Sequence, residues 1–185
     1  WLAFVIWFHK KIGTWKSVDK YIVLAEFEKG LFLNSTLGVP GEKIEVKPNF
    51  AHRPEVTEGA KGEHFLFIGR LSKEKGIKVL LEAFKGSGHV LHIGGKGPLQ
   101  ELVEETCKTH PNIKYLGYLD KRSVQQAMYE CTALVFPSIW YEGLPMTLIE
   151  AFALGKAIIA TKMGVMEIVI RHHYNGLQFE PNDPA

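Results

Sequence analysis

The stretch "IWYEGLPMTLIEAFALGK", residues 139–156, sets one carboxylate, Glu142, just before a Gly-Leu-Pro corner and a second, Glu150, inside a helical pattern. Pro145 suits the first turn of a helix and Gly155 suits its end. Gly143 lets the backbone ahead of the helix come close to a ligand, so the amides of residues 143–147, Leu144 among them, would point at an anion with the help of the helix dipole. At 1.5 Å per residue Glu150 then stands about 7–8 Å further along the axis than Pro145. Acids so placed serve different parts of one elongated ligand, whereas a pair cleaving a single glycosidic bond would meet at one reacting centre. A helix acid favoured by the dipole would account for Glu150 equally simply.

Two further loops carry related chemistry. "GRLSKEKG" (69–76) places Arg70 and Lys75 five residues apart, with Gly76 at a helix start. Two cations beside exposed helix amides make a site for an anion such as a diphosphate; a solvated loop with incidental charges fits that stretch alone just as well. "IGGKGPLQ" (93–100) lacks the full G-x-G-x-x-G and its acidic partner. It reads as a tight turn that brings backbone near a ligand, with Pro98 at the first helical position. Other candidates are weaker. His172-His173 belongs to no H-E-x-x-H, Ser138 in "FPSIW" lacks the Gly-x-Ser-x-Gly elbow and reads as a cap, and Glu167 reads as a plain helix acid. No Asp-x-Asp pair occurs anywhere to carry a divalent metal.

The elements that must position these loops alternate regularly. Strands are expected at 64–69, 89–94, 112–117, 133–137, 156–161 and 176–180, with helices at 75–85, 98–110, 121–131, 145–155 and 166–173. Strands apolar on both faces and separated by amphipathic helices predict an α/β fold with a doubly wound parallel sheet. Such sheets bind ligands beyond the carboxyl ends of their strands, which singles out loops 69–75, 94–98, 117–121 and 137–145. Upstream, "KYIVLAEFEKGLF" (20–32) and "EKIEVKP" (42–48) read as the last βα unit of something larger. "PNFAHRPEVTEGAKGE" (48–63) has the composition of a linker, so residues 1–54 are expected to end one domain and residues 55–185 to form another. The chain opens at Trp1 and stops at "FEPNDPA" after a strand-like run, and is read as a fragment.

Composition bounds the function. With 22 Lys+Arg against 20 Asp+Glu, mixed along the chain, there is no basic stripe and nucleic acid is not an expected partner. Cys107 and Cys131 have no CxxC spacing and no companion ligands, which argues for no zinc and fits a reducing cytoplasm. "WLAFVIWF" is too short to span a bilayer and is read as a core element of the upstream domain; followed by "HKKIGTWK", it could instead lie on the inner face of a membrane as a peripheral contact.

Taken in order, "GRLSKEKG", "FPS", Glu142 and Glu150 with seven residues between them, "EAFALGKAIIAT" and "GVMEIV…NGLQFEPNDP" resemble the nucleotide-binding half of retaining group 1 glycosyltransferases of the GT-B fold over about residues 64–185. The stretch 19–50 resembles the end of that family's N-terminal domain and its connection. The resemblance implies a UDP- or GDP-sugar as donor, no required cofactor or metal, and a separate N-terminal domain for a sugar or lipid-linked acceptor. It gives Arg70 and Lys75 to the donor diphosphate and Glu142 to the donor sugar, these three being the catalytic set. It gives Glu150 to the ribose hydroxyls and the backbone around Tyr118 and Leu119 to the base, with Gly69, Gly95, Gly97, Gly143 and Leu144 completing the donor-binding set. A binding module without transfer of its own is the alternative.

Overall fold

In the computed structural model, which describes residues 1–52, 56 and 62–184, contacts separate Trp1–Asn49 from Phe50–Ala185. The expected boundary between residues 54 and 55 falls outside the described residues.

In Trp1–Asn49 the aromatic opening folds as helix α1 (Leu2–Lys11), with no buried residue. Helix α2 (Thr14–Ser17), strand β1 (Tyr21–Val23), helix α3 (Glu26–Leu33) and strand β2 (Ile44–Val46) follow, and β1 pairs with β2 in parallel. Glu28 caps α3 by accepting the N–H groups of Leu24 and Ala25 at 2.6 and 3.2 Å. Val23, Val39 and Ile44 are the buried centre of this unit.

The second unit alternates β3 (His64–Ile68), α4 (Ile77–Phe84), β4 (Val90–Gly94), α5 (Gln100–Thr109), β5 (Ile113–Gly117), α6 (Lys121–Glu130), β6 (Ala133–Phe136), α7 (Met146–Ala153), β7 (Ala157–Thr161), α8 (Val165–Val169) and β8 (Gly176–Phe179). The strands form one sheet in the order β5-β4-β3-β6-β7-β8, each pair parallel. This is the doubly wound arrangement expected. Right-handed crossovers put α4 and α5 on one face and α6, α7 and α8 on the other, which is why β6 is buried along its whole length. Leu80, Leu81 and Phe84 of α4 and Val103 of α5 close over Phe67, Leu91, Ile93 and Ile113. The imidazoles of His64 and His92 stack across β3 and β4 with centroids 3.9 Å apart.

Helix ends differ from expectation by a residue or more at several places, and three of them are instructive. Pro145 is the N-cap of α7 rather than its first residue, and α5 begins at Gln100, leaving Pro98 in the preceding loop. Helix α8 stops at Val169 instead of 173 because Asn175 captures the backbone: its amide donates to the Val169 carbonyl at 3.0 Å while its oxygen accepts the Arg171 N–H at 2.7 Å. A β-branched run with little helix propensity resists that competition poorly.

Candidate functional site

The sheet order reverses direction between β3 and β6, so the loops leaving these strands meet at the position where doubly wound sheets hold their ligands. Backbone fastens them together: the Ile139 N–H donates to the Glu74 carbonyl at 2.9 Å. The approach requires glycine at 76, where φ is +72° and a Cβ would lie 1.9 Å from the Pro137 carbonyl oxygen. Across this junction Lys75 Nζ donates to Glu142 Oε1 at 2.5 Å, bridging 67 residues of sequence. The buried Ser138 hydroxyl donates to the same oxygen at 2.7 Å, with the Glu74 carbonyl as its alternative acceptor at 3.1 Å. The Lys75 ammonium also lies 5.7 Å from the centroid of the Phe136 ring. Side-chain exposures of 26% for Lys75 and 16% for Glu142 leave the pair less screened than a surface contact.

A second set of bonds laces the β3 loop to the β4 loop. The Leu71 N–H donates to the Lys96 carbonyl at 2.9 Å and the Leu99 N–H to the Leu71 carbonyl at 2.8 Å. Gly95 at φ +137° has its Cβ position 1.9 Å from the Gly69 carbonyl oxygen, and a Cβ on Gly97 would fall 2.4 Å from that of Leu71. These glycines therefore have a packing reason to be there, whatever they offer a ligand. The Gly95 carbonyl accepts the Tyr115 hydroxyl at 2.8 Å. The loop after β5 ends at Asp120, which caps α6 by accepting the Ser123 N–H at 2.8 Å; that bond holds its carboxyl below the usual carboxylate range.

Two cavities open over these loops. One, of about 340 Å³, is lined by Gly69, Arg70, Gly95, Lys96, Tyr118 and Leu119 among others. The next, of about 120 Å³, is lined by Arg70, Lys75, Phe136, Ser138, Pro145 and Thr147 with others. Both include Ile68, Gly69 and Arg70, so Arg70 stands on the wall between them. The amides of Met146 and Thr147 head α7 beside the smaller one, while Pro145 supplies no N–H. Glu142 reaches this cavity through its bond to Lys75, and Gly143 and Leu144 form the turn between Glu142 and the helix cap. Glu150 opens elsewhere, into a cavity of about 70 Å³ with His52, Lys121 and Gln125. A larger cavity, about 430 Å³, runs between α4 and β8; its walls are mostly apolar and carry His172 and His173 but none of the proposed donor-site residues.

The fold thus gathers Gly69, Arg70, Gly95, Tyr118 and Leu119 at one cavity and joins Lys75 to Glu142 at the next. Sequence reasoning gave Ser138 only a capping role, although it directly follows the β6 run and precedes Glu142 by four residues. It passed over Lys96, the one charged residue among the glycines of "GGKG".

A family model described as "Glycosyl transferases group 1" matches residues 49–185. Among curated proteins, the D-rhamnosyltransferase WbpZ of Pseudomonas aeruginosa is 33% identical over 125 residues, covering 65% of this chain and 33% of that protein. An uncharacterised glycosyltransferase of Methanocaldococcus jannaschii is 27% identical over 147 residues, covering 76% of this chain and 37% of its own length. The chain spans about a third of the length of these relatives. Among solved structures, the lipopolysaccharide outer core galactosyltransferase WaaB in its apo form superposes with a TM-score of 0.71 at 27% identity, over 90% of this chain and 50% of that one. The Anabaena protein HepE in complex with UDP superposes with a TM-score of 0.77 at 19% identity, over 90% of this chain and 51% of that one.

Proposed function

The chain belongs to the group 1 glycosyl transferases, and we propose on that premise that residues 55–185 hold the donor, a UDP- or GDP-sugar, for a retaining transfer completed with an acceptor-binding domain. The observation that carries this reading is the junction of the β3 and β6 loops, where Lys75 and Glu142 pair beside Arg70 and the start of α7. The base enters the cavity of about 340 Å³ against the backbone of Tyr118 and Leu119. The diphosphate lies across Arg70 and Lys75 toward the amides heading α7. Glu142 takes hydroxyls of the donor sugar. Glu150 takes those of the ribose, an assignment that rests on the family resemblance of its motif.

Charge accumulates on the leaving diphosphate as the glycosidic bond breaks. Lys75, already held by its bond to Glu142, stabilises that charge with little reorganisation, and Arg70 joins it from the exposed wall of the cavity; this is the contribution the two cations make to the barrier. A carboxylate at the sugar gains strength in the same step, because the anomeric carbon becomes cationic while Glu142 stays negative. Family membership favours transfer over a role in binding alone.

Titration calorimetry on the chain tests the phosphate assignment. UDP should bind more tightly than uridine, or GDP more tightly than guanosine; equal affinities within both pairs would end it.

A further inference from the structure

One charged side chain of the cavity of about 340 Å³ has no part in that mechanism. Lys96 leaves the β4 loop from a backbone pinned on both sides: its carbonyl accepts the Leu71 N–H at 2.9 Å, and the Gly95 N–H donates to the Gly117 carbonyl at 2.8 Å. Its ammonium lies 5.0 Å from the centroid of the Tyr118 ring. That ring is 68% exposed, so the ammonium is held at the cavity mouth by an aromatic face rather than by a carboxylate. None of the ion pairs among the described residues includes Lys96, and no Asp or Glu lines this cavity.

The position of Lys96 separates it from the phosphate cations. The two cavities share Arg70 on their common wall; Lys75 lies on the far side of that wall, and Lys96 lies with Tyr118 and Leu119 on the near side. If the diphosphate spans Arg70 and Lys75, as proposed above, Lys96 faces the other end of the nucleotide. An ammonium has three donors and no acceptor. At the exocyclic position that distinguishes the bases, thymine-type pyrimidines and guanine present a carbonyl oxygen, whereas cytosine and adenine present an amino donor.

We propose that Lys96 is a specificity-determining residue, donating a hydrogen bond to a nucleobase carbonyl and so selecting uracil or guanine against cytosine and adenine in the donor. The inference rests on the proposed donor site. Discrimination follows because an amino group facing the ammonium leaves two donors opposed, and a site built around a hydrogen bond rejects the partner that cannot make it.

The test is calorimetry of UDP, GDP, CDP and ADP on the wild-type chain, Lys96→Met and Lys96→Gln, with melting temperatures to confirm that each variant folds. The wild type should bind UDP or GDP roughly tenfold or more tightly than CDP and ADP, the worth of one charge-assisted hydrogen bond. Lys96→Met should lose about that factor for the preferred base and little for the other two, closing the gap. Lys96→Gln offers both a donor and an acceptor, and should accept all four bases more evenly. An equal loss for all four in Lys96→Met would make Lys96 a phosphate contact and overturn the inference while leaving the donor site standing. No discrimination in the wild type would overturn it as well. Failure of all four diphosphates to bind would remove the donor site and the inference together.

Discussion

The two halves of the sheet meet between β3 and β6 and bring different charge to the cleft. The β3–β4–β5 half presents Arg70, Lys75 and Lys96 from loops whose backbones are bonded to one another at several points. The β6–β7–β8 half presents Glu142 from a loop with exposed Trp140 and Tyr141, while Glu150, on the helix that follows, opens into a separate cavity. In the proposed function the cations of one half and the amides heading α7 would hold the anion, and the acids of the other half the hydroxyls. Beyond the pairing of β3 with β6, their loops are joined by a seam, the contact of residues 74–76 with residues 137–142.

The seam is the first thing to break. In Gly76→Val a side chain must occupy space 1.9 Å from the Pro137 carbonyl while the backbone holds φ at +72°. The expected cost is about 3 kcal/mol or more of folding stability, read from chemical denaturation, because neither backbone segment can yield cheaply. A loss below about 1 kcal/mol would mean that the two loops move apart freely and that the halves are not joined there.

Smaller, and sharper for the division of labour, is the contrast between the acids. Glu150→Gln should weaken UDP or GDP binding by roughly 1–3 kcal/mol if it holds the ribose. Glu142→Gln should leave that affinity within about 0.5 kcal/mol, since the sugar is absent from the ligand and the change frees Lys75 from its partner. Calorimetry with the opposite result would exchange the two roles. If both substitutions lower only the melting temperature, the acids support the helix and its loop and nothing more.

The smallest effect lies inside the cationic half. Burial first, then the neighbouring His64 and Lys114, lowers the His92 imidazole from 6.5 to about 4, with Glu130 pulling the other way. Between those values the unfolded chain takes up a proton that the folded chain refuses, so stability should decline as pH falls from 6.5 toward 4. Melting curves across that window should show the decline, and His92→Asn should reduce it, leaving the share of His64, which burial also lowers. A melting temperature that rises on acidification would contradict the assigned direction.

Much of the fold was legible because parallel strands buried on both faces leave continuous apolar runs, as in "ALVFP" and "KAIIAT", and because glycine punctuates their ends. The helix starts at Pro98 and Pro145 were misplaced by one or two residues, since proline serves the turn before a helix as readily as its first turn. The end of α8 was hidden because the Asn175 side chain that stops it comes from beyond the helix. In the candidate site, the residue types and their order along the chain could be read in advance. The Lys75–Glu142 bond could not, because the two residues lie 67 apart and only the sheet order makes them neighbours. The part of Lys96 is hidden for a related reason: its meaning comes from Tyr118, which arrives just after the next strand.

The lacing of the β3 loop to the β4 loop, and of Glu74 to Ile139, is made by the chain's own backbone. A molecule arriving at such a surface does not wait for segments to order around it; only exposed side chains such as Arg70 and Lys96 lose freedom, at about 0.5–1.5 kcal/mol each. Capture of the proposed nucleotide donor should then be governed by encounter and by the pull of those cations on its phosphates, and should slow as salt is added. Escape is governed by the contacts themselves. Substitutions within the cleft should therefore change how long a nucleotide stays far more than how fast it arrives.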